Sequence, residues 1–175
     1  MACSNYTLKG IASACKNSIG GVKAVFVAMR VDASNVLTGT VSEGILTPKT
    51  DFKSAFKKYA VRKSSSSATS TLQTSDTAGN TWQTELSLQF MKQDAAKRNE
   101  VMALCSEETI VIFVDGNGNG WVLGWDYPVE VSAGTAETGT AMSDLNGYNL
   151  TLTDNSIELP YQLDSASVTE LLTVE

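Results

Sequence analysis

Residues 82–90, WQTELSLQF, place Trp82, Leu86, Leu88 and Phe90 in alternation with Gln83, Glu85, Ser87 and Gln89. A period of two over nine residues fits a half-buried strand and no other regular element. The same chain holds other strand-like runs: Val22 to Met29 (VKAVFVAM) after the turn signal Gly20-Gly21, Thr109 to Val114, Trp121 to Trp125, Val129 to Ser132 and Tyr148 to Thr153. Only Asp94 to Leu104, DAAKRNEVMAL, reads as a helix, with Asp94 as N-cap and Ala95, Val101, Met102 and Leu104 as its apolar stripe. The expected fold is therefore mainly β, a β-sandwich or barrel-like arrangement with one short flanking helix, in a single domain spanning the 175 residues. The tail Val168 to Val174 reads as a further edge strand, and Gly10 to Ser18 as a short helix or loop.

Residues 52–72, FKSAFKKYAVRKSSSSATSTL, carry an imperfect alternation, strand-forming Tyr59-Ala60-Val61 and a Ser/Thr run. Ser64 to Ser67 reads as a flexible linker or as a polar crossing within a long hairpin. The hairpin reading is adopted because Thr69, Thr71 and Gln73 continue a polar alternating face up to the turn at residues 76–80. Within it, Lys57, Lys58, Arg62 and Lys63 surround Tyr59, and charge on both strand faces suggests an arm reaching beyond the domain. A basic run with an aromatic also suits single-stranded nucleic acid, but the acidic balance of the whole chain favours a subunit contact. Residues 133–146, AGTAETGTAMSDLN, are too polar for a core and too long for a hairpin turn, so they read as a mobile loop or as a segment ordered by a neighbour.

Charge is segregated along the chain. All 13 basic residues precede Asn99, whereas 12 of the 19 acids follow Glu100. Opposite charge on two surfaces of one molecule favours self-association. The three cysteines, Cys3, Cys15 and Cys105, have no ligand-like spacing and read as free buried thiols. The apolar runs are too short to cross a membrane, and no secretory signal pattern opens the chain.

Catalysis finds little purchase in this composition. With no histidine, Ser/His/Asp and Cys/His arrangements are excluded. Glu107-Glu108 reads as a solvated turn, and no glycine-rich segment is followed by Gly-Lys-Ser/Thr. One motif invites a cation: Asp115, Asn117, Asn119 and Asp126 match positions 1, 3, 5 and 12 of a calcium loop, with Gly120 at the sixth. A calcium loop sits between helices, whereas VIFV and WVLGW flank this one, so its Asn-Gly steps read instead as a hairpin turn. No cofactor is expected.

Taken in order, residues 56–104 and 120–153 resemble structural proteins of tailed-bacteriophage virions, in particular tail tube proteins and the related ring-forming proteins of the tail and head-tail connection. The resemblance rests on a long hairpin with basic and Ser/Thr-rich arms, a strand, a short crossing helix, an aromatic hairpin, and a Gly/Thr/Ala loop ending in an Asn-Gly-Tyr strand. It implies a non-enzymatic virion protein, made in the host bacterial cytoplasm, whose sheets join those of identical neighbours in a ring. Stacked rings would form a tube through which DNA passes without specific binding. Its partners would be copies of itself and other tail or head-tail proteins, with no membrane. On this reading the hairpin completes the ring wall and the 133–146 loop touches the next ring. The candidate interface residues are Lys57, Lys58, Arg62, Lys63, Ser65, Thr69, Thr71, Thr138 and Met142. A head-tail connector or capsid decoration protein is the alternative within the virion, and a calcium-dependent binding module using the 115–126 loop is the alternative outside it.

Overall fold

A computed structural model describes residues 9–11, 18–33, 39–49, 52–62, 64–75 and 79–174. In chain order the elements are β1 (Val22–Met29), α1 (Arg30–Ala33), β2 (Gly39–Ser42), β3 (Ile45–Pro48), a 3-10 turn (Phe52–Ala55), β4 (Lys57–Tyr59), β5 (Ser67–Gln73), β6 (Thr81–Met91), α2 (Ala95–Ser106), β7 (Thr109–Asp115), β8 (Gly120–Leu123), β9 (Glu130–Glu137), β10 (Gly147–Ser156), β11 (Tyr161–Leu163) and α3 (Ser165–Leu172). The strands form two sheets, a seven-stranded one in the order β2-β3-β11-β8-β7-β1-β4 and a four-stranded one in the order β5-β6-β10-β9. The fold is mainly β and sandwich-like, as the alternating runs require.

The large sheet is covered on both faces, which explains the unbroken apolar character of its central strands. Val25, Val27, Val111 and Phe113 point toward Leu86, Leu88, Phe90, Leu150 and Leu152 of the small sheet. Phe26, Ala28, Ile110 and Ile112 point the other way, onto Phe52, Phe56, Val168 and Leu171. A strand buried on both faces has no polar side to alternate with, so β1 and β7 read as continuous hydrophobic runs. The small sheet is covered on one face only and keeps its alternation. Its central pair runs in register from Gly147 opposite Met91 to Ser156 opposite Trp82. Gly147 is required there, because a Cβ would strike the Phe90 carbonyl.

The two margins of the sandwich are built differently. At one, the chain passes from β4 to β5, held by the Arg62 N–H donating to Gln89 O (3.4 Å) and the Val22 N–H donating to Ser66 O (3.3 Å). At the other, residues 124–129 connect β8 to β9. Here Val129 N–H donates to Thr109 O (2.9 Å), and the Arg30 guanidinium donates to the carbonyls of Gly124 and Asp126 (both 3.0 Å).

Several expectations are corrected. Residues 52–59 are not one arm of a protruding hairpin. The apolar Phe52 and Phe56 sink beneath the large sheet, and β4 joins β1 at its edge, Val25 opposite Tyr59. The hairpin that does form is β5 with β6, Ser67 opposite Ser87 and Gln73 opposite Thr81. The C-terminal tail is helix α3 rather than an edge strand. Asp164 caps it, and Val168 and Leu171, three apart, share its buried side. Residues 133–137 belong to β9 instead of a loop, since Ala133 to Glu137 pair with Thr151 to Gly147. Cys105 is exposed, not buried. Strands β2, β3 and β11 had no counterpart in the sequence reading. Cys3, Cys15, most of the 10–18 segment and residues 76–78 lie outside the described residues.

Candidate functional site: the outer face and edges of the small sheet

The register of the four-stranded sheet brings Thr69, Glu85 and Thr153 into one row and Thr71, Gln83 and Asn155 into the next, on the side away from the core. Gln89, Asn149 and Thr135 form a third row. The four strands contain no lysine or arginine. Their outward face is mostly threonine, serine, glutamine and asparagine with the carboxylates of Glu85, Glu130 and Glu137, interrupted by Ala133 and, at one end, by the exposed Met91. Hydrogen bonds tie neighbouring strands across it. Gln89 Nε2 donates to Asn149 Oδ1 (3.0 Å), and Asn149 Nδ2 donates to Glu137 Oε1 (3.1 Å). Thr153 Oγ1 donates to Ser132 Oγ (2.7 Å), and Gln73 Nε2 to Gln83 Oε1 (3.2 Å). Side chains bound to one another in this way present a firm, hydrated, anionic surface.

Both edges of this sheet are open among the described residues: β5 pairs only with β6, and β9 only with β10. The β5 sequence, SATSTLQ, contains no charge and no proline, the usual devices that stop an edge strand from recruiting another chain. Thr69 and Thr71, expected at an interface, lie on this edge and are exposed. The β9 edge carries Glu130 and Glu137 at its ends and a bulge opposite Thr151 and Leu152.

The basic residues gather elsewhere. Lys57 and Lys58 are exposed on β4, and Arg62 is exposed in the crossing beyond it. A groove of about 470 Å3 runs between β4 and α2, lined by Lys57, Lys58, Tyr59, Phe90 and Lys97. Tyr59 turns inward, its ring 6.1 Å from that of Phe90 and its hydroxyl donating to Glu100 (3.0 Å). Burial first, then the Glu100 carboxylate, drives its pKa well above the usual phenol value. Lys58 reaches the opposite side of the strand, donating to the Val174 carbonyl (3.2 Å). Ser65 is half-buried and spends its hydroxyl on Arg62 O (3.0 Å), which fits a corner-former better than a contact residue. Lys63 lies outside the described residues.

Thr138 and Met142 are on the β9–β10 connection, and Met142 is fully exposed. Asp144 orders this loop by accepting from the N–H groups of Ala141 (2.7 Å) and Thr140 (2.9 Å), bonds that hold its pKa down.

The Asp115 loop is a hairpin between β7 and β8. The Asp115 carboxylate accepts from the N–H groups of Asn117 (2.8 Å) and Asn119 (2.9 Å), from Asn119 Nδ2 (3.2 Å) and from the Trp121 indole (3.2 Å). Burial raises its pKa, but these donors outweigh burial and leave it lowered. Asn117 Oδ1 is taken by the Ile19 N–H (2.8 Å) and Asn119 Oδ1 by Gln162 (3.3 Å). The oxygens that would surround a cation therefore face separate protein partners, and Asp126 lies across the sheet at the 124–129 margin. Among the described residues no group of three or more acidic or thiol side chains converges on a common point.

Among the described residues, the one acid with a strongly raised pKa is one that sequence reasoning missed. Asp154 faces inward from β10 and is 3 % exposed. Its pKa is raised to about 6, chiefly by burial and also by Asp126, against the opposing pull of the Gly124 N–H and Arg30. One of its oxygens, Oδ1, has no hydrogen-bond partner. Its even-numbered place in the alternation of β10 was the available signal.

No family model, curated protein or solved structure matches the chain. No helix among the described residues is long and apolar enough to cross a membrane.

Proposed function

We propose that this protein is a non-enzymatic virion component of a tailed bacteriophage that assembles into rings, stacked into a tail tube. One observation carries the reading: a predominantly polar, lysine- and arginine-free sheet face, bounded by two edges open among the described residues. All four strands are antiparallel to their neighbours, so β9 of one copy laid against β5 of the next continues the same alternation. Repeated around an axis, such a head-to-tail contact closes into a ring. The polar face then lines the lumen, where carboxylates repel DNA phosphates and no cation holds them.

Charge supports the same contact. The margin bearing β5 carries Lys23 and Arg62, and the margin bearing β9 carries Asp126, Glu130 and Glu137. Exposed pairs of this kind steer association more than they tighten it. Partners are thus further copies of this chain and neighbouring virion proteins, with DNA a passenger.

Negative-stain microscopy of the purified chain tests the reading. Rings or tubes of uniform diameter are expected at low salt, with fewer or shorter assemblies as salt screens the charged margins. A chain that stays monomeric at every concentration and salt level overturns it.

A further inference from the structure

A cavity of about 440 Å3 opens beside β5, and its walls are mostly apolar: Val22, Ala68, Phe113, Trp121, Leu159 and Pro160. Ile19, 66 % exposed, and Leu159, 49 % exposed, stand at its rim. An unfilled apolar hollow of this size is within the range that receives a small organic group, and it lies inside the very edge that the ring contact uses. A second hollow adjoins it, sharing Gly20, Gly21 and Val22 and adding Lys23.

The opposite margin carries an exposed aromatic side chain. Tyr127 is 56 % exposed on the 124–129 segment that leads directly into β9. Met29, also exposed, pairs with Thr109, which is itself bridged to Val129. Arg30 clamps the base of the segment through the carbonyls of Gly124 and Asp126, so the tyrosine stands on a braced turn. An aromatic ring on a stiff support loses little freedom when it docks.

Laying β9 against β5 brings these two features together. By the sheet register, Glu130 is level with Thr153, Glu85 and Thr69. Residues just before Glu130 therefore arrive beside the Thr69 to Gln73 stretch of the neighbour, on the side from which the 124–129 segment descends toward the large sheet. The cavity lies on that side of β5, between the sheets. We propose that the cavity is a socket filled by Tyr127 of the neighbouring copy in the ring. Asp126 of that copy then approaches Lys23 beside the socket. The inference rests on the ring reading and adds to it the side chain that locks one subunit into the next.

Cysteine crosslinking separates the two ideas. In a background with Cys3, Cys15 and Cys105 changed to serine, two pairs that keep Tyr127 are compared in the full chain: Asp126→Cys with Lys23→Cys beside the socket, and Ser132→Cys with Thr69→Cys across the strand edges. The expected result is a ladder of covalent multimers from both pairs under oxidation, with Tyr127→Ala lowering the fraction assembled at least tenfold and Tyr127→Phe retaining it. Multimers from the edge pair alone, or undiminished assembly of Tyr127→Ala, overturn the socket and leave the ring. Absence of assembly in the unsubstituted chain overturns both.

Discussion

Asp154 shows how a single residue can weaken the fold it belongs to. Its carboxyl is raised to about 6 because it is buried beside Asp126, so between the ordinary carboxylate pKa near 3.8 and about 6 the folded chain holds a proton that the unfolded chain releases. With more protons bound when folded, the contribution of this group falls as pH rises through that window and is flat above it. Replacing Asp154 with Asn keeps an acceptor for the Gly124 N–H and removes the charge. The expected outcome is a melting temperature a few degrees higher than wild type at pH 7.5, with the difference shrinking to nearly nothing at pH 3.5, read by circular dichroism. An equal difference at both pH values contradicts the assignment. Asp94 and Asp115 act oppositely: their lowered pKa values lend stability that is lost as acid protonates them. Comparison of the variant with wild type cancels these contributions.

At the scale of elements, the seven-stranded sheet depends on a cover that is short and locally encoded. Asp164 accepts from the Ser167 N–H (3.2 Å) and starts α3, whose Val168 and Leu171 complete the core over Phe26 and Ile112. Leu171 is fully buried, and Leu171→Ala should destabilise the chain by about 2–5 kcal/mol, measured by urea denaturation. A loss below about 1 kcal/mol would mean that α3 is not a fixed part of the fold. The sequence hides this helix for a physical reason. Eight residues with β-branched Val168 and Thr169 have weak intrinsic helicity, so a strand reading was natural, and only the apolar underside of the large sheet selects the helix. Strands β2, β3 and β11 escaped notice similarly: each is three or four residues long, too short for a period to emerge. The α2 helix and β6, with 12 and 11 residues, were legible because length gives both pattern and caps room to act.

For the whole molecule, the uneven distribution of charge becomes a matter of margins. Lys23 and Arg62 lie near the β5 edge, and Asp126 and Glu130 near the β9 edge, so in the proposed ring each copy would offer unlike charge to the next. Changing Lys23 and Arg62 to Glu should cut the assembled fraction severely at low salt while leaving the circular dichroism spectrum intact. Mixing that variant with Asp126→Lys, Glu130→Lys chains should restore assembly, because each then meets an opposite partner again. Sedimentation of the mixture decides it; no recovery would count against a contact between these two margins.

The sequence by itself determined that this chain is mainly β, that residues 82–90 present one apolar and one polar face, and that a helix capped by Asp94 follows them. Those are local properties, set by side-chain period and by backbone groups near the capping residues. Tertiary structure decided which strands share a sheet, and with that the meaning of the polar face. The run from Phe52 to Leu72 looks like one arm in sequence, yet it is divided between two sheets because Phe52 and Phe56 are drawn beneath one of them while Ser67 to Gln73 pairs with β6. Likewise, Asp154 is an ordinary acid in sequence and becomes a strained one only when the second sheet closes over it. The alternation of β10 marks the face on which Asp154 lies, but what closes over that face depends on residues distant in the chain.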